Sequence, residues 1–102
     1  MNDLDGKYYT VYAHVCPNGK VYIGQTSKVR PSDRWGIDGA GYKRNRLFYG
    51  DIMEYGWENF KHIIICDLLT SEQADYLERY LIRRYNSTSR YCGYNRHPGG
   101  KF

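Results

Sequence analysis

A chain of 102 residues with 41% hydrophobic and 25% charged side chains describes one small globular domain, too short to hold a catalytic unit beside an independent recognition unit. Its longest apolar run, HIIICDLL, falls far below the roughly 20 residues of a membrane-spanning helix, and the polar, acidic start MNDLDGKYY is not a secretory signal, so no membrane partner and a cytoplasmic location are expected. The net charge of +4 permits nucleic-acid binding without demanding it.

The runs KYYTVYAHVC (7–16) and KVYIGQT (20–26) are rich in β-branched and aromatic residues and flank PNG, the pattern of a hairpin. A two-residue Asn18-Gly19 loop would put Pro17 where the closing pair needs an N–H donor, which proline lacks. The alternative is a three-residue loop, with Pro17 and Asn18 central in a type I turn and Gly19 left-handed in a G1 bulge. That register opposes Cys16 to Lys20, His14 to Tyr22 and Tyr12 to Gly24. It places Tyr12, His14 and Tyr22 on one face, a polar aromatic platform with Thr10 and Lys20. Val11, Ala13, Val15, Val21 and Ile23 then form the core face.

Residues 27–43 hold Pro31 and three glycines and predict a loop with one helical turn starting at Ser32 or Asp33. Asn45 then caps a helix reaching about Tyr55, with Leu47, Phe48, Ile52 and Tyr55 on one side and Gly56 as its stop. Residues 59–69, NFKHIIICDLL, predict the third strand, because three consecutive isoleucines weigh against a buried helix. The last helix opens at TSEQA, with Ser71 as N-cap and Glu72 in the first turn, and runs to about Tyr85. On it Ala74, Leu77, Leu81, Ile82 and Tyr85 make an apolar stripe, and Glu78 falls inside that stripe while Arg79 and Arg83 take the solvent side. The tail NSTSRYCGYNRHPGGKF reads as loop, and a single domain over 1–102 with its core at about 7–96 is expected.

Cys16, Cys66 and Cys92 are odd in number and widely spaced, and His14, His62 and His97 have no metal-ligand spacing with them, so free thiols are expected and a structural zinc is not. Twelve tyrosines against three phenylalanines suit a surface that meets sugar, base or phosphate, or the rim of a small core. Glu78 has two readings: a carboxylate at the edge of the stripe that reaches water or an arginine, or one held for a divalent cation. Mg²⁺ needs only one or two protein carboxylates. Arg34, followed by Trp35, is either surface charge beside an apolar anchor or a guanidinium that grips a phosphate bidentately and neutralises developing charge. Tyr12 and Tyr22 are either cross-strand packing or a base and its partner, with His14 and Lys20 near enough to lower the cost of a phenolate.

The order TVY, then KVYIGQT ten residues on, RW, YGWENF, the helix ERYLIRRYNS and finally GYN resembles the GIY-YIG nuclease domain over nearly the whole chain. That resemblance implies an α+β fold, with a small three-stranded antiparallel sheet (the N-terminal hairpin plus one strand) flanked by helices. It implies a DNA endonuclease or nickase that hydrolyses phosphodiester bonds with one Mg²⁺ or Mn²⁺ ion. Carried over by position, Tyr12 and Tyr22 would be the motif tyrosines, Arg34 the motif arginine, Glu78 the metal ligand and Asn95 the motif asparagine. Tyr12 would be the base and Tyr22 the group orienting water or phosphate, or the two roles are exchanged. The first triplet departs from the family, Thr10-Val11-Tyr12 standing for Gly-Ile-Tyr. After Arg34, where relatives place a histidine, the chain offers only Tyr42 and Lys43, with His14 a third candidate for a proton relay. Lys20, Lys43, Arg44 and Arg46, and the basic residues of RRYNSTSRY, are candidate contacts to the DNA backbone. Domains of this type serve in homing, restriction, repair and mobile elements, so a nucleoid-associated or phage-encoded setting is expected, with a homodimer or a partner protein supplying specificity. The rival is a catalytically inactive nucleic-acid-binding or protein-interaction module on the same scaffold.

Overall fold

The computed structural model describes residues 7–100; the acidic start at 1–6 and residues 101–102, and with them the ends of the expected domain, lie outside the described residues. Strand β1 (Tyr9–Val15) turns into β2 (Val21–Thr26) through the three-residue loop. Cys16 N–H donates to the Lys20 carbonyl at 2.9 Å, Gly19 N–H donates to the Cys16 carbonyl at 2.8 Å, and Gly19 takes φ 91°, a conformation that costs glycine nothing. Tyr12 therefore opposes Gly24 and His14 opposes Tyr22, the register that Pro17 dictates. Helix α1 (Ser32–Trp35) and a 3₁₀ turn (Ile37–Tyr42) follow. Helix α2 (Arg46–Tyr55) and a second 3₁₀ turn (Trp57–Asn59) come next. Strand β3 (Lys61–Leu69) and helix α3 (Ser71–Tyr85) complete the order. The sheet is antiparallel in the order β2-β1-β3, so the fold is α+β as expected.

Alternation along β1 and β2 divides the sheet into two packed faces. Val11, Ala13 and Ile23 meet Ala74 and Ile82 of α3 on one side. On the other, Tyr12 joins Tyr42, Phe48, Ile52, Phe60 and Tyr94. The expected polar aromatic platform is a second packed face, and the core is not confined to the apolar side: Tyr12 is 1% and His14 0% exposed. The segment from Trp35 to Phe60 folds back over the tyrosine face, with Trp35 4.7 Å and Trp57 4.8 Å from the His14 ring centre. A polar aromatic set buried in this way has to satisfy its hydroxyls and ring nitrogens internally.

Several local expectations are also corrected. Thr70, not Ser71, caps α3: its hydroxyl accepts from Gln73 N–H at 3.2 Å and Gln73 Oε1 accepts from Thr70 N–H at 3.0 Å, a capping box one residue earlier in the sequence. Tyr85 and Leu47, each at a helix end, lie outside the packed stripes, 52% and 37% exposed. β3 is an edge strand, and Ile63, Ile64 and Ile65 are 43%, 48% and 38% exposed, so β propensity and not burial explains the triplet. The tail is more than loop: Gly93 bridges Val21 in parallel and Tyr94 N–H donates to the Val21 carbonyl at 3.0 Å, which covers the free edge of β2. Asn45 caps α2 by accepting from Phe48 N–H, and Gly56 ends it, as expected. Cys16, Cys66 and Cys92 are free thiols. Among the described residues no helix is long and apolar enough to cross a membrane.

Candidate active site

The buried tyrosine face satisfies its polar atoms through one line of contacts. Tyr42, which closes the first 3₁₀ turn, places its hydroxyl 3.1 Å from the Tyr12 hydroxyl and 3.0 Å from His14 Nε2. His14 Nδ1 lies 2.8 Å from His62 Nδ1, its cross-strand neighbour on β3, and His62 Nε2 donates to the Trp57 carbonyl at 3.0 Å. Burial pushes the Tyr12 phenol upward, opposed by the Tyr42 hydroxyl and the Arg34 guanidinium. The Trp35 indole N–H, buried with no hydrogen-bond partner among the described residues, favours negative charge on the Tyr12 oxygen. His14 is pushed down to about 2, first by burial and then by repulsion from His62 and Arg34, and is a neutral imidazole at any ordinary pH.

Tyr22 is partly buried, its ring 5.0 Å edge-on from Tyr42 and stacked on Phe48 at 4.9 Å. Burial raises its phenol and that of Tyr42 strongly. Tyr22, Tyr42 and Arg34 line an open cleft of about 200 Å³, which Arg44, Asn45 and Arg96 complete. The Arg34 guanidinium lies 4.8 Å over the Tyr42 ring and donates to the Gly41 carbonyl at 3.0 Å, which aims it while leaving other N–H groups unspent. A second cleft, of about 370 Å³, shares Arg44, Asn45 and Arg96 and adds Arg46 and Arg90. Arg44 and Arg46 are thus brought together, whereas Lys20 at the hairpin end and the exposed Lys43 line neither cleft.

Glu78 is on the other side of the sheet. It is 8% exposed on α3, and its Oε1 accepts from Gln25 Nε2 and from Gly100 N–H, both at 2.8 Å. Gln25 pairs with Val11 and so belongs to the α3 face, opposite the tyrosines. The same Gln25 amide donates to Asp75 at 2.8 Å. Burial, then Asp75, raises the Glu78 carboxyl above its usual range, while Gln25, Gly100 and His97 draw it down. Its charge still reaches Tyr12 and Tyr22, raising both phenols. Between the two sides stands Gly24, over which the Tyr12 hydroxyl sits so closely that a Cβ there would lie 2.6 Å from it.

Asn95 braces the strand carrying these groups. Its Nδ2 donates to the Ile23 carbonyl at 2.8 Å, and its Oδ1 accepts from Ile23 N–H at 3.0 Å and from Ser87 Oγ at 2.8 Å. The side chain therefore pairs with β2 as a neighbouring strand would.

Sequence reasoning missed Gln25, His62, Arg96 and the central place of Tyr42. The parity of the hairpin could have placed Gln25 beside the α3 stripe, but the approach of Arg96 and Tyr42 depends on long-range docking of loops. No curated protein and no solved structure matches the chain significantly. A family model described as the GIY-YIG catalytic domain matches residues 8–95. That span takes in Tyr12, Tyr22, Arg34, Glu78 and Asn95 and stops one residue short of Arg96, so the chain belongs to the GIY-YIG catalytic domain family, whose members are nucleases that act on DNA.

Proposed function

We propose that the chain is a divalent-metal-dependent DNA endonuclease or nickase that hydrolyses phosphodiester bonds with tyrosine-assisted activation of water. The observation that carries this reading is the cleft in which Tyr22 and Tyr42 face the guanidinia of Arg34, Arg44 and Arg96, a donor set suited to a phosphodiester. Arg34 would neutralise charge developing on the phosphate. Tyr22 would orient the phosphate, and Tyr12 would take the proton of the attacking water.

The residues present fit a single Mg²⁺ or Mn²⁺ ion. Glu78 is a buried carboxylate that accepts from an amide and a backbone N–H and feels the charge of His97, and the Gln25 amide oxygen beside it is buried with no hydrogen-bond partner among the described residues. Among the described residues no group of three or more His, Cys, Asp and Glu gathers, so Glu78 would hold the ion with water and substrate oxygens in the remaining positions. The Glu78 charge is felt at Tyr12 and Tyr22 across the strand at Gly24, and when bound there the ion would supply a Lewis acid for a phosphate oxygen. Such a small recognition surface supports low intrinsic sequence specificity, with a homodimer or a partner protein directing the cut.

Supercoiled plasmid incubated with the protein is expected to be nicked in Mg²⁺ and spared in chelator, and Glu78→Ala is expected to lose the activity. Absence of nicking across single-stranded, duplex and branched DNA in Mg²⁺ and Mn²⁺ would favour the inactive binding module instead.

A further inference from the structure

The contacts between Tyr12 and Trp57 form a chain whose proton order can be deduced. The Trp57 carbonyl only accepts, so His62 Nε2 must carry a proton. With His62 neutral, its Nδ1 is bare, so His14 Nδ1–H donates to it across 2.8 Å. His14 is then bare at Nε2 and accepts from the Tyr42 hydroxyl across 3.0 Å; with its one proton committed there, Tyr42 cannot also donate to Tyr12, and the 3.1 Å contact between the two hydroxyls runs from Tyr12 to Tyr42 in this order. With a second proton on His62, every bond in the chain reverses: His62 donates to His14 Nδ1, His14 Nε2–H to Tyr42, and Tyr42 to Tyr12. Both orders pair every atom from the Tyr42 hydroxyl to the Trp57 carbonyl, and the reversed order turns the Tyr12 O–H away from Tyr42, which makes the chain a two-state conductor of protons.

We propose that His62 is the terminal proton acceptor of this relay, and that through it Tyr12 removes the proton of the attacking water. This rests on the nuclease reading above and adds the destination of the proton. The water passes a proton to the Tyr12 oxygen, the Tyr12 proton passes to Tyr42, that of Tyr42 to His14 Nε2, and that of His14 Nδ1 to His62 Nδ1. The water oxygen bonds to phosphorus, the phosphorus bond to the leaving oxygen breaks, and the leaving oxygen is reprotonated from bulk water. Net charge moves to His62 as an imidazolium, and Tyr12 ends neutral. A free phenolate is never required, which matters because burial opposes one at Tyr12.

His14 is fully buried and cannot keep the charge, whereas His62 is only partly buried on an edge strand. The titratable or charged groups facing the chain are its own four members, Tyr22 from β2, Arg34 from α1 and Glu78 from α3, with Arg34 and Glu78 acting on the phenols in opposite directions. From α2 the ring against His14 is the non-titratable Phe48, at 6.0 Å, and from the second 3₁₀ turn it is Trp57.

Two measurements test the relay. Nitrogen-15 chemical shifts of the imidazoles report tautomers without any need for activity: between the forms with one and with two protons on His62, His14 is expected to stay neutral and to switch from Nδ1–H to Nε2–H. A His14 tautomer identical in those two forms overturns the proposal, whether or not the protein cuts DNA. His62→Gln keeps an acceptor toward His14 and a donor toward Trp57 but cannot take a proton. In a protein that nicks plasmid, it is expected to melt and bind DNA as the wild type does, to lose on the order of 10²-fold in kcat with KM unchanged, and to change the pH dependence of kcat. An unchanged rate and pH profile in His62→Gln would also overturn the relay, whereas a wild type that never nicks indicts the nuclease reading instead.

Discussion

Glu78 is held by neutral donors, and at the scale of this one residue the consequence is thermodynamic. Its carboxyl is raised above the usual 4.5, burial being the larger cause and Asp75 a smaller one, so the folded state prefers the protonated form more than the unfolded chain does. A group of this kind contributes stability that is fully present below its unfolded pKa and is lost as pH rises through its folded pKa. At neutral pH the ionised side chain therefore costs stability unless a cation joins it. Glu78→Gln keeps an oxygen for Gln25 and Gly100 while removing the charge. In chelator it is expected to melt a few degrees above the wild type at pH 7, with the gap shrinking as pH falls toward 4.5, where the wild-type carboxyl becomes neutral as well. Adding Mg²⁺ should raise the melting temperature of the wild type and leave that of the variant in place. Thermal scans in which the variant melts lower than the wild type in chelator would mean that the carboxylate is already well paired, and would remove the support for a cation.

Among the elements, β2 carries the constraint that couples the two faces of the sheet, and Gly24 is where it acts. A Cβ there would stand 2.6 Å from both the hydroxyl oxygen and Cζ of Tyr12, and that ring is packed against Trp35 and His14, so it cannot simply swing aside. Gly24→Ala is expected to cost about 1–3 kcal/mol by overpacking. It should also cut the nicking rate far more than this loss of folding implies, because the Tyr12 hydroxyl leaves its line with Tyr42. Gly50 on α2 has open space around its Cβ position, and Gly50→Ala should gain about 0.5–1 kcal/mol with activity untouched. Equal losses of activity in the two variants at a temperature where both are folded would contradict this account. The hairpin was legible in the sequence because a missing N–H at Pro17 is a local fact that admits one register. The span of α2 was legible for the same reason, since Asn45 and Gly56 act on adjacent turns. The burial of the tyrosine face was not, because the lid that covers it comes from glycine-linked 3₁₀ turns whose docking no local periodicity encodes. Glu78 stood out as an anomaly on its helix, but its partner Gln25 lies 53 residues away and appears only when α3 is laid on the sheet.

Across the whole molecule, five arginines from three separate stretches of chain converge on one continuous pair of clefts. Arg34 comes from α1, Arg44 and Arg46 from the entry to α2, and Arg90 and Arg96 from the tail, and the two clefts share Arg44, Asn45 and Arg96. The net charge of only +4 means that placement, not total charge, would make this surface a track for a phosphate backbone. Each phosphate neutralised on duplex DNA adds about 0.9 to the slope of log affinity against log salt. Arg46 and Arg90 line the larger cleft but not the one with the tyrosines, so the double variant Arg46→Ala, Arg90→Ala is expected to flatten that slope by roughly one to two and to weaken binding evenly over unrelated sequences. In turnover it should raise KM and leave kcat in place, whereas Arg34→Ala should lower kcat, because in the proposed reaction the guanidinium held over Tyr42 would meet charge that develops only in the transition state. Titrations of labelled duplex in chelator at several salt concentrations read the slope without cleavage. A double variant with the slope of the wild type would place the DNA on another face and leave the larger cleft without a role in binding it.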